Sequence, residues 1–293
     1  MNKVIPEFLV NRIKAEYPEE AELILDGLKV ERKTTFRVNR IKSNVLEIEK
    51  VLREKNIEFS RLEDLEDAFI LKNANEGVIR SLEIYKQGKI YLQSLSSMLP
   101  VLVLDPKEKE NILDMCAAPG GKTTQIASIT NNRAFITACE KNKIRYDRLK
   151  FNLEKQRVKN FNLMQEDSRN LNDFFKFDKI LLDTPCSGSG TEAIYHEIFS
   201  QELVERISKV QEALLRKAIK LVNPESTIVY STCSILKEEN ERILEKVKDL
   251  IEIVPIQQIN NEKIDFLQGI KGTVTICPNE YFEGFFVAKL VKK

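Results

Sequence analysis

The stretch "DMCAAPGGKTT", Asp114 to Thr124, decides how this chain is read. Its tail looks like a nucleotide-phosphate loop and its head like the end of a buried strand. A Walker-type loop needs a glycine ahead of its Gly-Lys-Thr, so that the backbone curls successive N–H groups around phosphate oxygens. Cys116 holds that place. The dinucleotide fingerprint G-x-G-x-x-G also fails, because Gly120 and Gly121 are adjacent. Glycines after a strand still let a ligand approach backbone N–H groups at a helix start, where the dipole favours a negative group. Without a phosphate loop, a carboxylate is a sensible guest.

Outward from this stretch the chain alternates. "NILDMCA", "RAFITACE", "FNLMQED", "DKILLD" and "TIVYSTC" read as strands, and "KTTQIASIT", "NKIRYDRLKFNLEKQ" and "ELVERISKVQEALLRKAIKLV" as helices. Such alternation predicts an α/β fold with a mostly parallel sheet covered by helices on both faces. Ligands in such sheets sit beyond the carboxyl ends of the strands, near the switch point of strand order. The chemically interesting residues fall at those ends: Cys116 and Gly120, Glu140, Asp167, Asp183 with Cys186, and Cys233. Glu140 stands about 20 residues past the glycines, where an acid accepts both ribose hydroxyls of a nucleoside. Asp167 is placed to accept from an adenine amino group. The alternative is that both acids merely cap the helices that follow. A nucleoside carrying a carboxylate in place of a pyrophosphate describes S-adenosylmethionine.

Upstream lies a small α+β unit, with a helix in "PEFLVNRIKAEY", a strand in "TTFRVNR" and a helix in "VLEIEKVLREKN" that Ser43 is expected to cap. Short strands follow at "IEFSRL" and "AFILKN". The expected division is residues 1–88 and 89–293. In "KVERKTTFRVNRIK" six cations face Glu31 alone, which makes an RNA-facing strand edge a competitor to a plain solvated face. "KNKIRYDRLKFNLEKQRVK" is also basic and reads as a solvated helix face.

Composition excludes several classes. Of 293 residues, 42% are hydrophobic and 31% charged, as in a globular protein, and no apolar run approaches the roughly 20 residues of a membrane span. The amphipathic, charged N-terminus is no secretion signal, so a cytoplasmic monomer without membrane or metal partners is expected. Five scattered cysteines without a C-x-x-C pair, and one histidine, His196, argue against a zinc site, a disulfide framework and most triad chemistry. Cys186 and Cys233 follow strands expected to be neighbours, so their thiols face one pocket, beside Asp183 and a Gly/Ser-rich loop. Taken singly, each is more often a small buried hydrophobe.

"DMCAAPGGKT", "LLDTPCSGSG", "YSTCS" and the terminal "EGFFVAKL" resemble the motifs of the Sun-domain RNA (cytosine-5) methyltransferases, and "FRVN" and "YLQSLSSMLP" extend the likeness over nearly the whole chain. The resemblance implies a Rossmann-like class I methyltransferase domain preceded by a small RNA-recognition-like domain. It implies S-adenosylmethionine as cofactor, held by Cys116, Ala117, Ala118, Pro119, Gly120, Gly121, Lys122, Glu140, Arg145, Asp167 and Asp183. It implies ribosomal or transfer RNA as partner, contacted by Arg37, Asn39 and Arg40. In this family the thiol of the Thr-Cys motif, here Cys233, is the nucleophile, the Pro-Cys thiol, Cys186, assists product release, and Asp183 and Lys122 meet the target cytosine. DNA cytosine-5 methyltransferases use the Pro-Cys thiol instead, so sequence logic alone leaves those two roles open. The other class of function open to the same chain is a catalytically idle RNA-binding assembly factor. Two departures stand out: residues 191–206 are acidic where the family often carries Arg and Pro, and Glu283 replaces a common Asp at a place expected to be far from the chemistry.

Overall fold

A computed structural model describes residues 4–195, 199–257, 259 and 262–293. The chain opens with two helices, α1 (Glu7–Glu16) and α2 (Ala21–Lys29). Next come β1 (Thr35–Val38), α3 (Val45–Glu54), β2 (Phe59–Leu62), β3 (Leu65–Leu71), the short helices α4 (Glu76–Ser81) and α5 (Glu83–Lys86), and β4 (Ile90–Leu92). The four strands form an antiparallel sheet in the order β2-β3-β1-β4. Phe36 and Phe69 stack across it at 5.0 Å, with Ile48 and Leu52 of α3 fully buried against the same core. The cap of α3 is Asn44, whose side-chain oxygen accepts from the Glu47 N–H; Ser43, the expected cap, instead donates to the Glu47 carboxylate at 2.8 Å. Both residues can satisfy an orphan helix donor, and the one whose backbone is extended at the boundary does so.

β4 lies beyond residue 88 yet forms an edge of the small sheet, so that sheet extends to Leu92. α1 and α2 bury Leu9, Ile13, Ile24 and Leu28 against Ile194, Val204, Ile235 and Leu236 of the larger unit, not against the small sheet. Tyr17 fixes this docking by donating to the Ile235 carbonyl at 2.8 Å.

A buried helix, α6 (Leu95–Leu104), leads into β5 (Asn111–Asp114), α7 (Gly121–Ile129), β6 (Phe135–Cys139), α8 (Lys143–Lys155), β7 (Phe161–Met164), β8 (Phe177–Asp183), α9 (Gln201–Leu221) and β9 (Val222–Thr232). The end of the chain adds α10 (Glu241–Glu245), β10 (Ile251–Val254), β11 (Phe266–Leu267), β12 (Val274–Ile276) and β13 (Phe285–Lys292). The large sheet runs β11-β12-β13-β9-β8-β5-β6-β7, with β10 also on β13. β9, β8, β5, β6 and β7 are parallel, and β13 is antiparallel to β9. Apolar runs such as Ile180-Leu181-Leu182 are buried because helices cover both faces of the strands. The chain winds outward from β5 through β6 to β7, then crosses back to place β8 on the other side of β5. The switch point therefore lies between β5 and β8, which end in Asp114 and Asp183.

Where α1 meets the large unit, the Glu16 carboxyl is buried beside that of Glu238. Burial, and then Glu238, push Glu16 up to about 7 from an ordinary 4.5. The folded chain thus holds a proton that the unfolded chain releases as pH rises through about 4.5, so stability falls between there and about 7. Asp114, buried and pushed up to about 6, acts with the same sign. Urea midpoints should decline across this window, and Glu16→Gln should flatten the decline; an unchanged slope would show that Glu16 does not hold this proton.

Candidate active site

Three short segments build the site. The turn after β5 carries Gly120, whose φ of +104° is open to glycine at little cost, and α7 starts at Gly121 directly behind it. β8 ends at Asp183 and runs into "TPCSGSG". Its neighbour β9 ends at Thr232, with Cys233 next. Because Asp183 pairs in register with Ser231, the two cysteine loops leave the sheet side by side. The Cys186 and Cys233 sulfurs lie 2.8 Å apart. Both thiols are free and partly exposed. The hydrogen bond to Cys233, and then burial, raise Cys186 well above the ordinary thiol range.

The loops are stitched together by groups that sequence reasoning passed over. The buried Glu239 carboxylate accepts from the Ser187 N–H at 2.8 Å, from the Ser187 hydroxyl and from the Ser234 hydroxyl. One carboxylate thus holds the residue after each cysteine. Gly190 donates its N–H to the Cys233 carbonyl at 3.1 Å, and Gly284 donates to the Gly190 carbonyl at 2.9 Å. A Cβ on Gly190 would lie 2.0 Å from the Gly284 oxygen, so only glycine allows this approach. The terminal "EGFF" thereby buttresses the cysteine loops.

Beside the thiols, Asp183 accepts from Lys122 Nζ at 2.7 Å and from the Ser231 hydroxyl at 2.7 Å, while Lys122 also donates to Ser97 at 2.8 Å. Asp183, Lys122 and Ser97 line a cavity of about 310 Å³ with Cys116, Cys233, Tyr91, Phe285 and Glu283; of the two thiols, Cys233 is the one in this wall. Glu283 was expected far from the chemistry; it forms part of this wall and accepts from Ser94 at 2.7 Å. Ser97 and Ser231 left no sequence signal, because only the fold brings them onto Lys122 and Asp183.

A second, narrower cleft opens on the other side of Cys116, lined by Met115, Glu140, Arg145, Asp167, Arg169 and Pro185. Glu140 is buried, accepts from the Asn142 N–H at 2.8 Å and lies 3.4 Å from Arg145. Arg145 donates to the Ala118 carbonyl at 2.8 Å. Asp167 accepts both Arg169 Nε and Nη2, and that ion pair holds it down at about 2. The cleft measures about 40 Å³, space for a water or two, with Arg169 folded onto the acid.

Of the three residues expected at RNA, Arg37 and Asn39 are buried inside the protein and Arg40 is at the surface. Arg37 is 2% exposed and donates to Gln93, to the Gly121 carbonyl and to Thr124. Asn39 is 1% exposed and donates to the carbonyls of Gly88 and Gln156. Arg40 reaches the surface but is paired with Asp67 and Glu66. Arg37 and Asn39 tie the small sheet to α7 and the end of α8. His196 lies outside the described residues. Among the described residues, no cluster of metal-ligating side chains occurs and no helix is long and apolar enough to cross a membrane.

A parallel sheet with a glycine turn after its first strand, acids closing the next strands and a switch-point cavity is the Rossmann-like architecture of class I methyltransferases. The chain belongs to the 16S rRNA methyltransferase RsmB/F family, whose model matches residues 101–291, while the ferredoxin-like domain of the same family matches residues 5–76. It is 37% identical over 221 residues to a tRNA (cytosine(72)-C(5))-methyltransferase of Pyrococcus horikoshii, covering 73% of this chain and 55% of that one. It is 32% identical to the ribosomal RNA small subunit methyltransferase F of Vibrio atlanticus, over 99% of this chain and 64% of that one. The crystal structure of a methyltransferase homolog protein from Pyrococcus horikoshii superposes with a TM-score of 0.84 at 31% identity, covering 97% and 94% of the two chains. The chain spans between half and two thirds of the length of these two curated relatives.

Proposed function

We propose that the chain methylates carbon 5 of a cytosine in ribosomal or transfer RNA, using S-adenosylmethionine and a transient cysteine–C6 bond. The observation that carries this reading is the pair of thiols in contact at 2.8 Å, beside the Asp183–Lys122 pair at the switch point. A module that only binds RNA has no use for two facing thiols. The relatives named as tRNA and rRNA methyltransferases support the substrate class.

The residues present fit the cofactor at two of its ends. Gly120 and Gly121 leave backbone room at the start of α7 for an amino-acid carboxylate, and Glu140 at the end of β6 keeps acceptor capacity for ribose hydroxyls. At the third end, Arg169 has to release Asp167 before an adenine amino group can take its place. The cofactor supplies an electrophilic methyl group when bound.

The chain's own residues supply the rest. Cytosine C5 is a poor nucleophile until a thiolate adds at C6, which makes C5 enamine-like. Cys233, the member of the pair that lines the cavity, attacks C6 as the thiolate with its proton passing to solvent, while Cys186, in contact with it, is held as a thiol. Asp183 accepts from the base's amino edge. Lys122 spends two N–H donors on Asp183 and Ser97, and directs its third at the base, stabilising negative charge as the adduct forms. After methyl transfer solvent water takes the C5 proton, the C–H electron pair re-forms the C5–C6 double bond, and the Cys233 sulfur leaves as a thiolate, with Cys186 in contact to assist. The base has to leave its stack to reach this cavity, which favours a loop or an opened helix.

Calorimetry with S-adenosylmethionine, followed by transfer of its labelled methyl group to unmodified ribosomal and transfer RNA and bisulfite sequencing, tests the proposal. Expected is cofactor binding and one or more protected cytosines. Absence of cofactor binding, or of label in both RNAs, defeats it.

A further inference from the structure

The net charge of the whole chain is +1, yet residues 141–159 carry eight Lys and Arg against Asp147 and Glu154. Positive charge is therefore concentrated on and around α8. That helix buries Leu149 and Leu153 toward the sheet. Its outward stripe, at spacings of four, three and four residues, is Ile144, Arg148, Phe151 and Lys155. Ile144 is 75% exposed and Phe151 61% exposed. A single exposed apolar residue needs no explanation. Two on one stripe, with Arg148 between them, make a cationic and aromatic face.

This face is continuous with the cavity. Asn152, one turn after Arg148, donates to the Pro119 carbonyl at 2.8 Å and lies 3.4 Å from the Tyr91 hydroxyl, and Tyr91 lines the cavity beside Lys122. At the other end of the stripe, Lys155 Nζ sits 3.7 Å from the centre of the Tyr85 ring, with Arg80 over the same ring at 5.4 Å. Burial, and then the charges of Arg80 and Lys42, lower the pKa of Lys155. Of the nearby carboxylates, Asp147 is paired with Lys143, Glu76 with Arg80 and Glu47 with Lys89, while Glu154 is exposed on the helix and makes no ion pair among the described residues. Arg148 makes no ion pair among the described residues.

We infer that the outward face of α8 carries the single-stranded RNA next to the target base, with Arg148 and Lys155 meeting phosphates and Phe151 stacking a base. The inference rests on the methylation reading for its choice of partner. It transfers the RNA contacts from Arg37 and Asn39, which the fold buries, and from Arg40, which pairs with Glu66 and Asp67, to a surface that sequence alone makes an ordinary solvated helix.

The test is fluorescence anisotropy with a labelled single-stranded oligoribonucleotide of about 12 nucleotides containing one cytosine, titrated at several salt concentrations. Arg148→Ala with Lys155→Ala should weaken binding about tenfold or more at low salt and reduce the slope of log K against log salt by about 1.4. Phe151→Ala should weaken binding by about tenfold without changing the slope, and Arg148→Lys should restore most of the affinity lost in Arg148→Ala. Unchanged affinity and slope in both Ala variants, at unchanged thermal midpoint, would overturn the inference. So would polyglutamate binding to this face as tightly as the oligoribonucleotide, which would mark it as a site for an acidic protein. Label transfer by the unmodified chain at saturating RNA separates the two readings: transfer with unaltered variant affinity sinks only the α8 surface, and no transfer to any RNA sinks the methylation reading.

Discussion

Cys233→Ala should lose methyl transfer by a factor on the order of 10⁴ to 10⁶, because no neighbouring group can take over the bond to C6. Cys186 is the nearest sulfur, but it does not line the cavity that Cys233 lines, and burial still favours its thiol once the contact with Cys233 is gone. The fold should survive, since the Cys233 side chain is only partly buried and the loop is secured by Glu239, Gly190 and Gly284. Cofactor affinity by calorimetry and the urea midpoint should therefore match those of the unaltered chain. Retained turnover in Cys233→Ala would show that the Pro-Cys thiol attacks, as in DNA cytosine-5 methyltransferases.

The second large effect falls on stability. Arg37 is a guanidinium with no exposed surface to speak of, and burial pushes it down to about 10, so it stays charged at neutral pH. It is compensated by the Gln93 oxygen at 2.8 Å, the Gly121 carbonyl at 2.8 Å, Thr124 at 2.6 Å and the Tyr91 ring at 5.1 Å. Arg37→Ala removes charge-assisted bonds and leaves buried acceptors unpaired, at a cost of about 3 to 5 kcal/mol in urea unfolding. RNA affinity of the fraction that remains folded should change little. A variant of normal stability with weakened RNA binding would restore Arg37 to the RNA surface.

The misreading of Arg37 has a definite physical source. In sequence, Arg37, Asn39 and Arg40 belong to a basic strand, and a basic strand usually faces solvent or an anion. Their distant partners lie 26 to 117 residues away, at Glu66, Asp67, Gly88, Gln93, Gly121, Thr124 and Gln156. No local pattern announces that a cation will be consumed in joining two sheets. The parallel sheet was legible because the period of its strands and helices is local, and the gathering of Cys116, Glu140, Asp167 and Asp183 near one edge followed from topology alone. The adjacency of Cys186 and Cys233 was legible for the same reason: it needs only that β8 and β9 be neighbours. What holds those thiols in register was not. Glu239, Ser187, Ser234, Ser97 and Ser231 are ordinary polar residues in sequence, and their importance lies in which buried donors and acceptors they satisfy. Glu283 was misplaced because the path of the chain's last strand, back beside β9, is a long-range property.

In the proposed reaction the two thiols in contact divide the work, Cys233 forming the bond to C6 and Cys186 helping to break it. The most direct measurement is to incubate Cys186→Ala with S-adenosylmethionine and substrate RNA, then to denature the mixture and look for a slowly migrating protein–RNA species whose attachment point is mapped by mass spectrometry. Expected is an adduct that survives denaturation, is attached through Cys233 and is absent from Cys186→Ala/Cys233→Ala. Free RNA fully methylated by Cys186→Ala with no trapped species, or an adduct on any residue other than Cys233, would contradict this division of work.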